Sequence, residues 1–138
     1  MEKIFLSGSK NLNYIPVNLE CVIRNLVNNK DCEFLIGDCC GVDSLLQKLL
    51  YDLKCNDVTV YASGKIPRNF YGTIEWKKVL LGYPMMDNQR AYYELKDIQM
   101  SRDCDRGIVL WDGFSQATKN NIDRLRGMGK KVTVFKGM

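Results

Sequence analysis

Two stretches of the chain place small and polar residues at the start of an apolar helical repeat, and both could hold an anion. The first is Gly37-Asp38-Cys39-Cys40-Gly41-Val42-Asp43, which follows the apolar run Glu33–Ile36. Apolar residues then recur at Val42, Leu45, Leu46, Leu49, Leu50 and Leu53, the spacing of one buried helical stripe. Gly37 and Gly41 let the backbone pass close to a ligand, and the unpaired N–H groups of a helix start favour an anion, usually a phosphate. Asp43 also suits the positive end of that helix dipole. The second stretch is Asp112-Gly113-Phe114-Ser115-Gln116-Ala117-Thr118, after the continuously apolar run Arg106–Trp111. Ser115 is placed to cap a helix carrying Ile122, Leu125 and Met128. Several N–H donors converge there, and Thr118 adds a hydroxyl.

Three further segments carry groups that could line such a site. Ser7-Gly8-Ser9 ends the first apolar run, Lys3–Ser7; small residues there suit a phosphate-binding edge as well as a plain tight turn. The G-x-G-x-x-G dinucleotide fingerprint is missing. The loop 62–72 carries Lys65, Arg68 and Asn69, and Pro67 stiffens the chain beside the last two, which lowers the ordering entropy of binding. Phe70, Tyr71 and Trp76 could stack on a base or cover the sheet edge. Asp87–Arg102 reads as a helix capped by Asp87 or Asn88. Ala91, Leu95 and Ile98 mark one face; Tyr93, Lys96, Asp97 and Met100 mark another. Spacing alone makes the second face a surface strip, with a weak contact between the adjacent Lys96 and Asp97.

The elements that must position these residues alternate. Strands are expected at 3–7, 33–36, 58–61, 75–81, 106–111 and 131–135, with a helix after Pro16 carrying Leu19, Val22, Ile23, Leu26 and Val27. That order implies one α/β domain over residues 1–138, a three-layer Rossmann-like fold with a mainly parallel sheet and helices on both faces. In such sheets ligands bind beyond the carboxyl ends of the strands, where all the turns above lie.

Composition narrows the chemistry. The chain is 46% hydrophobic and 26% charged, as in ordinary globular domains. No apolar run is long enough for a membrane span, and the amino-terminal apolar run is too short for a signal peptide, so a cytoplasmic protein is expected. The net charge of +4 is scattered rather than gathered in a basic stripe, which makes nucleic acid an unfavoured partner. The six cysteines form no C-x-x-C pair and there is no histidine, so neither a metal site nor a His-activated nucleophile is expected. Cys21 and Cys55 read as small core residues, and Cys39-Cys40 as turn filler.

Taken together in order, Ser7-Gly8-Ser9, Gly37-Asp38 with Gly41-Val42-Asp43, Pro67-Arg68-Asn69, Arg90, Lys96-Asp97-x-x-Met100 and Trp111-Asp112-Gly113-x-Ser115-x-x-Thr118-x-Asn120-Asn121-Ile122 resemble the SLOG superfamily. That group contains the Smf/DprA proteins, the cytokinin-activating phosphoribohydrolases and nucleotide-sensing domains; the likeness is closest to its small single-domain members. The resemblance implies a nucleotide or nucleotide-derived phosphorylated ligand, no separate cofactor, and a homo-oligomer. By that likeness Gly8, Ser9, Gly37, Asp38, Gly41 and Asp43, with Arg68, Asn69 and Arg90, would line the ligand. Gly113, Ser115, Gln116, Ala117 and Thr118 would hold its phosphate, with Asn121 behind them. The phosphoribohydrolases carry P-G-G-x-G-T-x-x-E, whereas here the glycine before Thr118 is Ala117 and the glutamate position is Asn121. Asparagine cannot carry the charge that stabilises an oxocarbenium ion. The leading expectation is therefore a binding module acting as sensor, sequestering protein or carrier. The alternatives are N-glycosidic hydrolysis or transfer on a nucleoside monophosphate, with Asp97 as acid or nucleophile, Asp43 and Asp112 as fallback carboxylates and Lys96 or Arg90 as phosphate clamp, and a protein-interaction module with an idle cleft.

Overall fold

The computed structural model describes residues 1–137. Strands β1 (Glu2–Gly8), β2 (Cys32–Gly37), β3 (Val58–Ala62), β4 (Lys77–Leu80), β5 (Arg106–Trp111) and β6 (Lys131–Lys136) form one sheet in the order β4-β3-β2-β1-β5-β6. Every neighbouring pair is parallel. Helices α1 (Val17–Asn29), α2 (Val42–Asp52), α3 (Gln89–Asp103) and α4 (Gln116–Gly127) connect the strands, except that β3 reaches β4 through the 63–76 loop. The expected three-layer Rossmann-like architecture is the one observed, and the strand expected at 75–81 is present over the shorter span Lys77–Leu80. The chain winds outward from β1 through β2, β3 and β4, then returns to the other side of β1 for β5 and β6. The topology therefore reverses between β1 and β5, the kind of switch point at which open parallel sheets form a crevice. Among the described residues no helix is long and apolar enough to cross a membrane.

The two faces of the sheet are unequal, and strand alternation explains why. Ile4, Leu6, Phe34, Ile36, Val60 and Leu110 pack on α1 and α2 in one large cluster with Leu19, Ile23, Val42, Leu46 and Leu50. The other face holds Phe5, Leu35 and Tyr61 against Met100, Cys104 and Leu125 of the α3–α4 side. Side chains two apart share a face. Continuing that face towards the carboxyl ends, Phe5 is followed by Ser7 and Leu35 by Gly37. The second layer thus turns from apolar to polar as it nears the carboxyl edge of the sheet.

Three expectations about burial are corrected. The Tyr93–Lys96–Asp97–Met100 strip is not a solvated surface, because Lys96 and Met100 are buried against the sheet. The buried line of α3 runs through Tyr92, Lys96, Met100 and Ser101, while Ala91, Leu95 and Ile98 are only partly covered. Cys21 is exposed on α1, not in the core. Met128, expected on the inner face of α4, lies beyond its end and is 41% exposed. Trp76 is buried and its indole N–H donates to the Cys55 carbonyl at 2.8 Å, with Phe70 edge-on at 5.9 Å, so this pair covers the sheet edge.

Met100 fastens α3 in the smaller cluster, with no side-chain exposure. Truncation there leaves a cavity under a helix that has few other apolar anchors. Met100→Ala is expected to lower unfolding stability by about 2–5 kcal/mol, read as a shift in the urea midpoint with an unchanged slope.

Candidate functional site

At the carboxyl ends of β1 and β2 the polar part of the second layer forms one connected network. Lys96 comes from the middle of α3, where its helical position directs it towards the sheet. Its ammonium donates to Asp97 Oδ1 at 2.8 Å and to the Tyr93 carbonyl at 3.1 Å. The contact between these neighbours in sequence is thus short and buried, not weak. Asn121 of α4 bridges α3 to the sheet, donating to Ser7 Oγ at 3.1 Å and to Asp97 Oδ2 at 3.4 Å. Its carbonyl accepts from Arg124, whose other arm pairs with Glu94 of α3 at 2.9 Å. Ser63, just past β3, accepts from the Lys96 backbone N–H. Among the described residues no buried side-chain nitrogen or oxygen lacks a partner.

Asp43 completes the network from the α2 side. It is buried, and its Oδ2 accepts the Cys39 N–H at 3.3 Å. A Cβ on Gly37 would lie 2.7 Å from that oxygen and 3.2 Å from Lys96 Cε, so glycine is what leaves room for both the Asp43 carboxyl and the Lys96 stem over the end of β2. Burial pushes the Asp43 pKa up to about 7, Lys96 opposes that rise, and Asp97 adds to it. Burial also works against the Lys96 charge, but Asp97 and Asp43 outweigh it and hold the ammonium above its ordinary pKa. Burial pushes the Cys39 thiol up to about 11, with Asp43 adding to the rise, which leaves it an unreactive thiol at neutral pH.

The two strand–turn–helix corners differ in what fills them. At the first, Gly41 has φ 78° and its missing Cβ position lies against the Lys10 carbonyl, so the chain after β1 covers this turn. Asp43 takes the Cys39 amide, and Ser44 Oγ donates to the Cys39 carbonyl at 3.0 Å. At the second, Ser115 stands at the N-cap position of α4, and Asp112 ties the turn ahead of it: its Oδ1 accepts from the Phe114 and Ser115 amides at 2.8 and 2.7 Å. Those bonds hold the Asp112 carboxyl below its usual pKa. Ser115 makes no side-chain cap bond, which leaves the first-turn amides of Gln116, Ala117 and Thr118 without a capping side chain. Thr118 Oγ1 lies 3.3 Å from Ser9 Oγ and 3.2 Å from Ser115 Oγ, and Ser9 Oγ accepts the Asp112 N–H at 3.1 Å. The turn after β1 and the start of α4 therefore touch across the switch point, with Gly8 and Gly113 in the adjoining backbone.

Asp38, Arg68 and Asn69 form a third group, beyond β2 and β3. Asp38 Oδ1 accepts from Arg68 Nη2 at 2.9 Å and Nε at 3.3 Å, and its carbonyl accepts from Asn69 Nδ2 at 2.9 Å. Beside them an open groove of about 620 Å³ lies between the 63–68 loop, the 82–85 stretch and the start of α3, lined by Ile66, Arg68, Tyr83, Met85, Tyr92 and Tyr93. Arg90 is exposed in the first turn of α3, which Asn88 caps through the Ala91 N–H, and Arg90 does not line this groove. Ser7, Ser63, Tyr83, Tyr92, Glu94 and Arg124 also belong to these groups, and apart from Ser7 none of them stands in a sequence motif. The one available signal was the four-residue spacing of Tyr92, Lys96 and Met100, read along α3 without regard to hydropathy.

Asp43 makes stability depend on pH with a definite sign. Its carboxyl titrates near 3.9 in an unfolded chain and at about 7 in the folded one. Between those values the folded state holds the extra proton, so this group's contribution to stability falls as pH rises from about 4 to about 7 and is flat above. Asp43→Asn removes that slope. The melting temperature of the variant relative to the parent is expected to climb from pH 5 to pH 7.5 and then level, as followed by circular dichroism. Compared with known proteins, the chain matches no protein-family description and no curated protein sequence.

Proposed function

We propose that this chain binds a nucleotide or nucleotide-derived phosphorylated ligand along the carboxyl edge of its sheet, as a sensor, sequestering protein or carrier. The observation that carries the reading is the junction at the switch point. There the uncapped first turn of α4 meets Ser9 and Thr118, directly beside the buried Lys96–Asp97–Asn121–Ser7 network. Helix amides and hydroxyls suit phosphate oxygens. A buried ion pair is poor value for stability compared with apolar packing, so a charged pair at this edge is better explained by ligand chemistry than by folding. The groove beyond β3 and the start of α4 stand three strand spacings apart, about 14 Å. That span favours an extended ligand, with a ring at one end and phosphate at the other, over a single free phosphate.

Binding without turnover is preferred because Asn121 is consumed structurally. Its amide reaches Ser7 and Asp97 and its carbonyl receives Arg124, so it has neither charge nor a free proton to offer a leaving group. One observation favours the second reading, N-glycosidic cleavage: Asp43 carries a near-neutral pKa in contact range of the same network. In that chemistry Asp43 would hold the proton and Asp97, paired to Lys96, would face the developing positive charge. Release of free base from a nucleotide, lost in both Asp43→Asn and Asp97→Asn, would establish it in place of simple binding.

Ala117 is exposed in the first turn of α4, so a side chain can be added there without disturbing the core. A glutamate in that turn complements the helix dipole but repels phosphate. Ala117→Glu is expected to keep or raise the melting temperature while weakening nucleoside diphosphate binding roughly tenfold or more, a loss of at least about 1.4 kcal/mol, by titration calorimetry. Equal affinity in variant and parent would remove α4 from the site.

A further inference from the structure

We infer that the guanidinium of Arg68 is a preset stacking plane for the planar ring of the ligand, which seats the base in the groove between Tyr83, Met85 and α3. This rests on the nucleotide reading above and assigns one end of that ligand. The guanidinium is held on two sides. Its carbon lies 3.7 Å from the centroid of the Tyr93 ring, and its Nε and Nη2 both donate to Asp38 Oδ1. The Tyr93 ring takes one side of the group and Asp38 takes another. The side chain remains 32% exposed and lines the groove, so it presents surface to whatever enters.

The loop does not need this guanidinium to hold its shape. The Arg68 backbone N–H donates to Asp38 Oδ2 at 2.8 Å, and Asn69 Nδ2 donates to the Asp38 carbonyl. Gln47, fully buried on α2, donates to the Asn69 carbonyl at 3.3 Å and accepts the Tyr71 N–H at 3.0 Å. Four bonds that bypass the Arg68 side chain thus fix residues 68–71, and what the side chain adds is a rigid, charged plane. A guanidinium is flat, weakly hydrated and stacks on π-systems, and bases are recognised on such planes. The groove walls suit the same guest: Ile66, Tyr83 and Met85 offer apolar contact, and Lys65 adds a second cation for an electron-rich ring. The back wall belongs to the helical turn that carries Lys96, since the Tyr93 carbonyl accepts from Lys96 Nζ. A ring seated here is one helical turn from that network, which leaves the edge towards α4 for its sugar and phosphates.

The test compares Arg68→Lys with the parent, using ADP, GDP, CDP and UDP as ring-bearing probes and pyrophosphate as the ring-less one, by titration calorimetry. Lysine keeps the charge and can still reach Asp38, but it has no plane. Nucleoside diphosphate affinity is expected to fall at least about fivefold, with pyrophosphate affinity and melting temperature unchanged. Nucleoside diphosphates that bind Arg68→Lys as tightly as the parent would overturn the subsite while leaving the nucleotide reading intact. Failure of all four to bind the parent would overturn both. A second measurement avoids the variant: 8-azido-ADP photolysed with the parent chain is expected to label residues within 65–85 or 92–93. Labelling confined to the opposite groove around Asn11 and Phe114, where the exposed Phe114 ring is the rival stacking partner, would overturn the assignment.

Discussion

A lysine ammonium buried between the sheet and α3 needs compensation, and much of the local sequence is explained by that requirement. Removing such a charge from water costs several kcal/mol after relaxation, and only close counter-charge and hydrogen bonds offset it. Lys96 finds Asp97 beside it, the Tyr93 carbonyl one turn back and Asp43 across the end of β2. Each partner in turn has its own demand. Asp97 is held by Asn121, Asn121 by Ser7 and Arg124, and Arg124 by Glu94. Gly37 keeps its Cβ out of the way. The result ties β1, β2, α2, α3 and α4 together at one end of the molecule through polar groups, while apolar packing holds the other end.

The same arrangement separates scaffold from chemistry. On the α1–α2 face the apolar cluster runs the length of the strands and is indifferent to any ligand. On the α3–α4 face the apolar cluster is small, and the polar layer takes over where the topology reverses. The charge state of that layer is not fixed near neutrality, because Asp43 titrates at about 7. With Asp43 protonated the Lys96–Asp97 pair is balanced; with Asp43 ionised the pocket carries an extra negative charge close to the site proposed for phosphate.

How much of this was legible in the sequence depends on which physical signal each element carries. The strands declared themselves through continuous apolar runs such as Arg106–Trp111, and α2 through its leucine stripe. The turns at Gly37–Asp43 and Asp112–Thr118 were legible because glycine and small polar residues at a strand–helix junction have few other uses. What filled those turns was not. Lys10 covers Gly41 from a part of the chain about thirty residues earlier, and Asp112 ties the turn ahead of α4 because a carboxylate reaches two amides at once, while Ser115 makes no cap bond. The inner face of α3 was misread for a single reason. Hydropathy treats Lys96 as a solvent residue, and the carboxylates that permit its burial lie on α2 and in the next position of its own helix. The groove by Arg68 was half legible, since Pro67-Arg68-Asn69 stood out in its loop, whereas Tyr83 and Tyr92 reach it only through the placement of β4 and α3.

The pairing of β1 with β5 has a consequence for how the molecule comes together. Ser7 aligns with Val109, and the contacts that close the switch point, Ser9 with Thr118 and Ser7 with Asn121, join positions more than a hundred residues apart. Closing a loop of that length carries its entropy cost before any contact rewards it. The β1–β4 half can assemble from near neighbours in sequence, but the crevice exists only once the distant half has docked. A truncated or half-synthesised chain can thus have much of its sheet and lack the whole switch-point side of its site.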